Sequence, residues 1–123
     1  MQGAGIGQKF VLGPSFYEGF HNFNGTRWVY DIPFAKNNKT DSVDEGQAAI
    51  NNIGFDLLEG LELGNEVDLY VSQGSRPTGW GPQNYTTEFL EYADFLTSSL
   101  SLPGGPIFQV LTLSAETYGI WSA

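Results

Sequence analysis

The sequence has no cysteine and only one histidine, His21, and these two shortages remove several kinds of site. Disulfides, thiolate nucleophiles and cysteine-ligated zinc are excluded, and a single imidazole does not make a multi-histidine metal site. Basic residues are also scarce, because five lysines and arginines against 14 aspartates and glutamates give a net charge of −9. Such a chain would repel a phosphate backbone, so no nucleic-acid partner is predicted. Because cysteine and histidine ligands are missing, no bound metal is predicted either.

Long hydrophobic runs are missing as well. No apolar stretch approaches the roughly 20 residues that span a bilayer, and there is no basic amphipathic segment, so no membrane partner is predicted. The 123 residues are 41% hydrophobic and 15% aromatic, which is enough for the core of about one domain. The glycines of residues 3–7 follow no predicted strand and lack the spacing of a dinucleotide fingerprint. Residues 1–9 are therefore predicted to be a frayed N-terminus, and no cofactor is expected.

Three Asn-x-Ser/Thr sequons bear on the compartment of the protein. They begin at Asn24, Asn38 and Asn84, which are predicted N-glycosylation sites and favour an extracellular, secreted protein. The lack of cysteine leaves the question open, since it fits a reducing cytosol and a secreted enzyme without disulfides equally well. The first residues have neither the charged region nor the apolar stretch of a signal peptide, so we expect the leader of an exported protein to be missing from this chain.

Helical and extended patterns alternate along the chain. The predicted order is a helix from the N-cap Ser15, a strand at 27–34, a helix from the N-cap Ser42 to Gly54, a strand at 57–64, a helix with an apolar stripe from Tyr85 to Leu100, and a strand at 107–113. Glutamates stand three residues after each serine, as in a capping box. Strands separated by helices imply parallel pairing with right-handed crossovers, so the predicted class is α/β. A (β/α)₈ barrel takes about 250 residues, so the chain is either a small open sheet or a piece of a barrel.

Polar residues follow the first two predicted strands, where functional groups of parallel α/β folds are found. Asn65 and Glu66 come directly after the middle strand, with Asp68 and Tyr70 close behind, and Asp31 lies near the end of the preceding strand. A glutamate in this place suits general acid catalysis, and the asparagine amide suits a hydrogen bond to a sugar hydroxyl. The alternative is a solvated Asn-Glu pair in a loop.

The segment 61–70, Leu-Glu-Leu-Gly-Asn-Glu-Val-Asp-Leu-Tyr, resembles the segment around the acid/base glutamate in glycoside hydrolase family 79, the family of β-glucuronidases and heparanase. Two other stretches extend the resemblance. Residues 11–20 are similar to the Gly-Pro-containing helix entry of the family, and residues 80–92, with Tyr85 and Tyr92 spaced as Tyr-x₆-Tyr, are similar to its post-strand helix. The resemblance runs from Phe10 onward, and segment 61–70 is its most specific part.

This resemblance implies a retaining glycosidase with a (β/α)₈ barrel, of which residues 1–123 form a partial catalytic barrel. The strands at 27–34, 58–64 and 107–113 would be barrel strands three, four and five, and Glu66 would be the acid/base residue. The nucleophile of such enzymes follows strand seven, which we do not find in the sequence, and the surroundings of Glu116 do not resemble the nucleophile segment. A retaining mechanism needs two carboxyl groups, so the chain alone is predicted to be inactive and to need the remainder of its own barrel as a partner.

The expected ligand is a glucuronide-type saccharide. Beside Glu66, the residues predicted to bind it are Asn65, Asp31, Tyr70 and Trp80. Tyr70 and Trp80 are included because aromatic faces stack on sugar rings, although these two residues could equally be packing. Val67 stands where the family commonly has a proline, which leaves the turn at Glu66 less constrained.

Other polar residues are expected to be structural or exposed to solvent, and two alternative functions stay open. His21 is expected to be structural or exposed, and Asp41, Asp44 and Glu45 are expected to be solvated at a helix start. One alternative function is a non-catalytic carbohydrate-binding or interaction module built on Tyr70, Trp80 and Asp31. Another is an α/β structural domain that binds no ligand.

Overall fold

The computed structural model describes residues 12–114 and 121; residues 1–9 and Glu116, on which two sequence predictions fall, lie outside them. The helices are α1 (Pro14–Glu18), α2 (Lys39–Ile53) and α3 (Pro82–Ser99), and the strands are β1 (Trp28–Ile32), β2 (Leu58–Asn65) and β3 (Phe108–Thr112). Two short 3₁₀ helices, Gly19–Asn22 and Val67–Leu69, follow α1 and β2. None of the helices described is long and apolar enough to cross a membrane.

The strands form one parallel sheet in the order β1-β2-β3. Ile32 is in register with Leu63, and Leu63 with Val110. The connections β1–α2–β2 and β2–α3–β3 supply the crossovers that parallel pairing needs. The predicted α/β class and the alternation of elements are confirmed, and within the described residues the sheet is open.

The core lies between the helices and one face of the sheet. Tyr30 and Ile32 of β1 and Leu61 and Leu63 of β2 are buried there, as alternation along a strand requires. On the opposite face, Asp31 and Glu62 stand beside each other in register. The sheet therefore has one packed face and one face that carries acidic side chains.

The starts of α1 and α2 differ from the predicted ones. Gly13, not Ser15, is the N-cap of α1, because Pro14 takes the first helical position. Asn38, not Ser42, caps α2: its side chain accepts hydrogen bonds from the backbone N–H groups of Thr40 and Asp41. Ser42 is buried inside the helix, where its hydroxyl donates to the Pro33 and Asn38 carbonyls.

Glu45 is not the solvated residue that the sequence predicts. It is half-buried, and its Oε1 accepts hydrogen bonds from the hydroxyls of Tyr30, at 2.5 Å, and Tyr17, at 3.0 Å. Desolvation by burial, together with this carboxylate, raises the pKa of both tyrosines. The cluster joins α1, β1 and α2, whereas Asp41 and Asp44 are exposed as expected.

Two further predictions are confirmed. His21 is exposed, and its Nε2 lies 2.7 Å from the Asn52 carbonyl oxygen. The apolar stripe of α3 faces the core, where its residues Tyr85 and Leu96 are buried together with Tyr92.

Candidate active site

A cavity of about 310 Å³ opens at the carboxyl edge of the sheet, between the loop after β1 and the loop after β2. Its lining residues are Asp31, Ile32, Pro33, Phe34, Ala35, Lys36, Asn65, Glu66, Tyr70 and Gln73. Four of the five residues that the sequence predicts for catalysis and sugar binding are thus brought together. Parallel strands place their carboxyl ends at one edge, which is why residues so far apart in the chain share this cavity.

Glu66 occupies a tight turn between β2 and the 3₁₀ helix that follows. Its backbone has φ 49 and ψ 46, in the left-handed region that residues other than glycine seldom adopt. Gly64, with φ 107, lies so close to Val67 that an added Cβ would stand 2.5 Å from Val67 Cγ1. Val67 is fully buried, so packing of its side chain helps to hold the turn.

Hydrogen bonds anchor both ends of this turn. The buried Tyr85 hydroxyl on α3 donates to the Leu63 carbonyl at 2.6 Å. Asp68 accepts from the backbone N–H and the hydroxyl of Ser114, at 3.0 Å and 2.7 Å, which joins the turn to the segment after β3. Glu66 is exposed at the cavity while the backbone around it is held.

Asp31 is a perturbed acid in the same cavity. It lies in register with Glu62 on the neighbouring strand, whose carboxylate accepts a hydrogen bond from Thr112. Desolvation at the sheet edge, followed by repulsion from Glu62, raises the pKa of Asp31 from 3.8 to about 6. Part of the Asp31 side chain remains in solvent, so it is available to a ligand.

Arg76, which the sequence analysis missed, holds the walls of the cavity together. Its guanidinium donates to the carbonyls of Phe34 and Ala35, at 3.0 Å and 2.7 Å, and to Glu88 Oε2 on α3, at 2.9 Å from Nε. It lies 5.3 to 5.5 Å from the ring centroids of Phe34, Tyr70 and Trp80. One buried cation therefore joins the loop after β1, the loop after β2 and α3. The sequence signal that could have identified Arg76 is its position between Tyr70 and Trp80 in a chain with few cations.

The two predicted sugar-stacking residues have different positions. Tyr70 lines the cavity but is 5% exposed, and it stacks on Trp80 with 5.8 Å between ring centroids. Desolvation by burial is the main cause that raises the pKa of Tyr70. Trp80 is buried behind Tyr70, and its indole N–H donates to Glu88 Oε1 at 2.7 Å. The structure thus places Trp80 in the aromatic packing around Arg76, away from the lining of this cavity.

All three sequon asparagines are exposed. Asn24 lies in the loop before β1, Asn38 caps α2, and Asn84 lies in the first turn of α3. Asn38 and Asn84 use Oδ1 as the acceptor of backbone N–H groups. Glycosylation joins the sugar to Nδ2, so these caps are compatible with it.

The arrangement offers acid–base chemistry on a polar ligand. Glu66 and Asp31 supply carboxyl groups, Asn65 supplies an amide, and Tyr70 supplies an aromatic wall. Within residues 12–114 and 121, no three histidine, cysteine or acidic side chains cluster in a way that could hold a metal ion.

Comparison with known proteins shows a similarity to a glycoside hydrolase. No model of a known protein family matches the chain. Over 85 residues, 64% of the chain, the sequence is 31% identical to a β-glucuronidase of Aspergillus niger. That stretch is 16% of the length of the relative, so the chain corresponds to a small part of it. The chain is therefore similar to one part of a glycoside hydrolase.

Proposed function

We propose that the chain is part of a retaining glycoside hydrolase that cleaves β-glucuronide-type O-glycosidic bonds, with Glu66 as its general acid/base. The observation that carries this proposal is the place of Glu66, which follows a parallel strand directly and lines a cavity with Asn65 and Asp31. The similarity to a β-glucuronidase supports the substrate class.

In the proposed enzyme, β1, β2 and β3 are strands three to five of a (β/α)₈ barrel of the family 79 type. The parallel order of the strands and the packing of helices against one face support this, because a barrel has helices outside and a closed sheet inside. The face with Asp31 and Glu62 would then line the barrel interior. The remainder of the barrel is the proposed partner of this segment.

The proposed reaction has two steps. Glu66 first protonates the glycosidic oxygen while a second carboxylate, supplied by the remainder of the barrel, attacks the anomeric carbon and forms a glycosyl-enzyme. Glu66, now ionised, then takes a proton from the water that hydrolyses this intermediate. In this proposal Asn65 and Asp31 hydrogen-bond sugar hydroxyls and Tyr70 makes an apolar contact to the ring, which is supported by the fact that all three line the cavity.

We also propose that the enzyme is secreted. The three exposed sequon asparagines support this, because their Nδ2 atoms are compatible with glycosylation in the secretory pathway. Enzymatic deglycosylation of the protein from its native host should lower its apparent mass, and Asn→Gln changes at Asn24, Asn38 and Asn84 should remove that shift stepwise.

Glu66→Gln in the full-length protein tests the acid/base role. With a glucuronide whose leaving group needs protonation, kcat/KM should fall about 10²- to 10⁴-fold, the usual contribution of general acid catalysis. With a dinitrophenyl glucuronide the glycosylation step should be much less affected, because the phenolate leaves without a proton. Azide should restore turnover of this activated substrate and give a glucuronyl azide, since azide attacks the intermediate without a general base.

Glu59→Gln is the matched control, since Glu59 is an exposed residue of β2 that pairs with Arg27. It should leave both substrates unchanged. Wild-type turnover of the poor substrate by Glu66→Gln would refute the acid/base role. Saccharide binding without hydrolysis by the wild-type full-length protein would instead indicate a carbohydrate-binding module.

A further inference from the structure

Basic side chains are few in this chain, and almost all of those described are neutralised by carboxylates. Arg27 pairs with Glu59 at 2.6 Å, Lys39 with Glu91 at 3.5 Å, and Arg76 with Glu88 at 2.8 Å. The remaining basic residue in the described part of the chain is Lys36, for which no ion pair or hydrogen bond is found there. This lysine lines the cavity that holds Glu66.

The backbone that carries Lys36 is held firmly. Arg76 donates hydrogen bonds to the carbonyls of the two preceding residues, Phe34 and Ala35, and the Asn37 N–H donates to the Phe34 carbonyl at 3.1 Å. The side chain itself is exposed. A fixed backbone with an unpaired ammonium group at a cavity is an arrangement that suits contact with an anion.

We propose that Lys36 is a specificity-determining residue that binds the carboxylate of a glucuronyl group in this cavity. The inference rests on the proposed function. The shared chemistry is an anionic carboxylate on the substrate, and the position of the cavity around the acid/base residue favours the carboxylate of the sugar over one on the leaving group.

The electrostatics of the cavity supply the physical reason. Asp31 and Glu66 line it, Glu62 stands beside Asp31, and the whole chain carries a net charge of −9. An anionic sugar entering this surrounding is repelled unless a cation compensates at short range. Among the residues described as lining the cavity, Lys36 is the one that provides a positive charge.

The test compares Lys36→Met, Lys36→Arg and wild type in the full-length protein with nitrophenyl β-glucuronide and nitrophenyl β-glucoside. Lys36→Met should lower kcat/KM for the glucuronide about tenfold, mainly through KM, and leave the glucoside within about twofold. Lys36→Arg should keep most of the glucuronide activity. The loss should shrink at high ionic strength, because an exposed charge pair is screened.

Lys39→Met is the matched control, because Lys39 also lies near the start of α2 but is paired with Glu91 and does not line the cavity. It should leave the ratio of glucuronide to glucoside activity unchanged. If the wild type does not turn over the glucoside, the inhibition constants of free glucuronate and glucose make the same comparison.

Three results would overturn the assignment. An unchanged substrate ratio in Lys36→Met refutes it, and so does a loss that equals that of Lys39→Met. A carboxyphenyl β-glucoside that loses activity in Lys36→Met, while the glucuronide does not, would assign the bound carboxylate to the leaving group. These outcomes are separate from failure of the proposed function, in which Glu66→Gln keeps wild-type activity or the wild type hydrolyses no glucuronide.

Discussion

Arg76→Met should be among the most damaging single changes to the stability of this protein. The Arg76 side chain is 3% exposed, and its removal takes a donor from the carbonyls of Phe34 and Ala35 and from the carboxylate of Glu88. The Phe34 carbonyl keeps the N–H of Asn37, so the Ala35 carbonyl is the one left without this donor. Breaking a buried ion pair costs about 3 to 5 kcal/mol, and the lower end applies because Glu88 is 24% exposed and keeps the indole N–H of Trp80. The stranded Ala35 carbonyl adds about 1 kcal/mol, so we expect a loss of about 4 kcal/mol in the free energy of unfolding.

Urea unfolding followed by tryptophan fluorescence measures this loss, since Trp80 lies against the guanidinium. The matched control is Arg27→Met, because that arginine forms a pair with Glu59 in which both side chains are more than half exposed, at 54% and 56%. It should cost less than about 1 kcal/mol. Arg76→Lys should fall between the two, because an ammonium keeps the charge but lacks the planar fork. If Arg76→Met costs no more than Arg27→Met, the reasoning about the buried cation is wrong.

Two further changes test the geometry and charge of the cavity. Gly64→Ala should cost about 3 kcal/mol in urea unfolding, because the new Cβ meets Val67 at 2.5 Å and the backbone has φ 107; Gly74→Ala, with φ 78 and nothing within 4 Å, should cost only about 1 kcal/mol, and equal losses would contradict the close contact. Asp31→Asn should stabilise the protein at neutral pH by about 1 kcal/mol, a value reduced for the exposure of Asp31. The raised pKa of Asp31 means that its neutral form favours folding below pH 3.8 and that this contribution is lost as the pH rises through about 6. The advantage of Asn should therefore shrink as the pH falls through about 6 and vanish in unfolding curves recorded below pH 3.8, and a gain independent of pH would rule out this cause.

Sequence alone was sufficient for the order and direction of the main elements. The alternation of apolar residues in β1 and β2 and the helical stripe of α3 are local patterns, and helices between strands leave parallel pairing as the natural outcome. The rule that polar residues gather at the carboxyl edge of such a sheet was also enough to place Asp31, Asn65 and Glu66 together, and the structure shows these three lining one cavity.

Tertiary structure decided the details that depend on contacts between distant segments. Ser42 met the local rule for an N-cap, yet it is buried against the Pro33 carbonyl, and Glu45 became the acceptor for two tyrosines instead of a solvated acid. Arg76 gave no regular pattern, because its partners lie in three separate elements that only the fold brings together. The same holds for Lys36, whose unpaired charge is evident only once the ion pairs of the other described cations are known. Local sequence thus specified the elements, and burial and charge pairing across the fold determined which side chains remain available to a ligand.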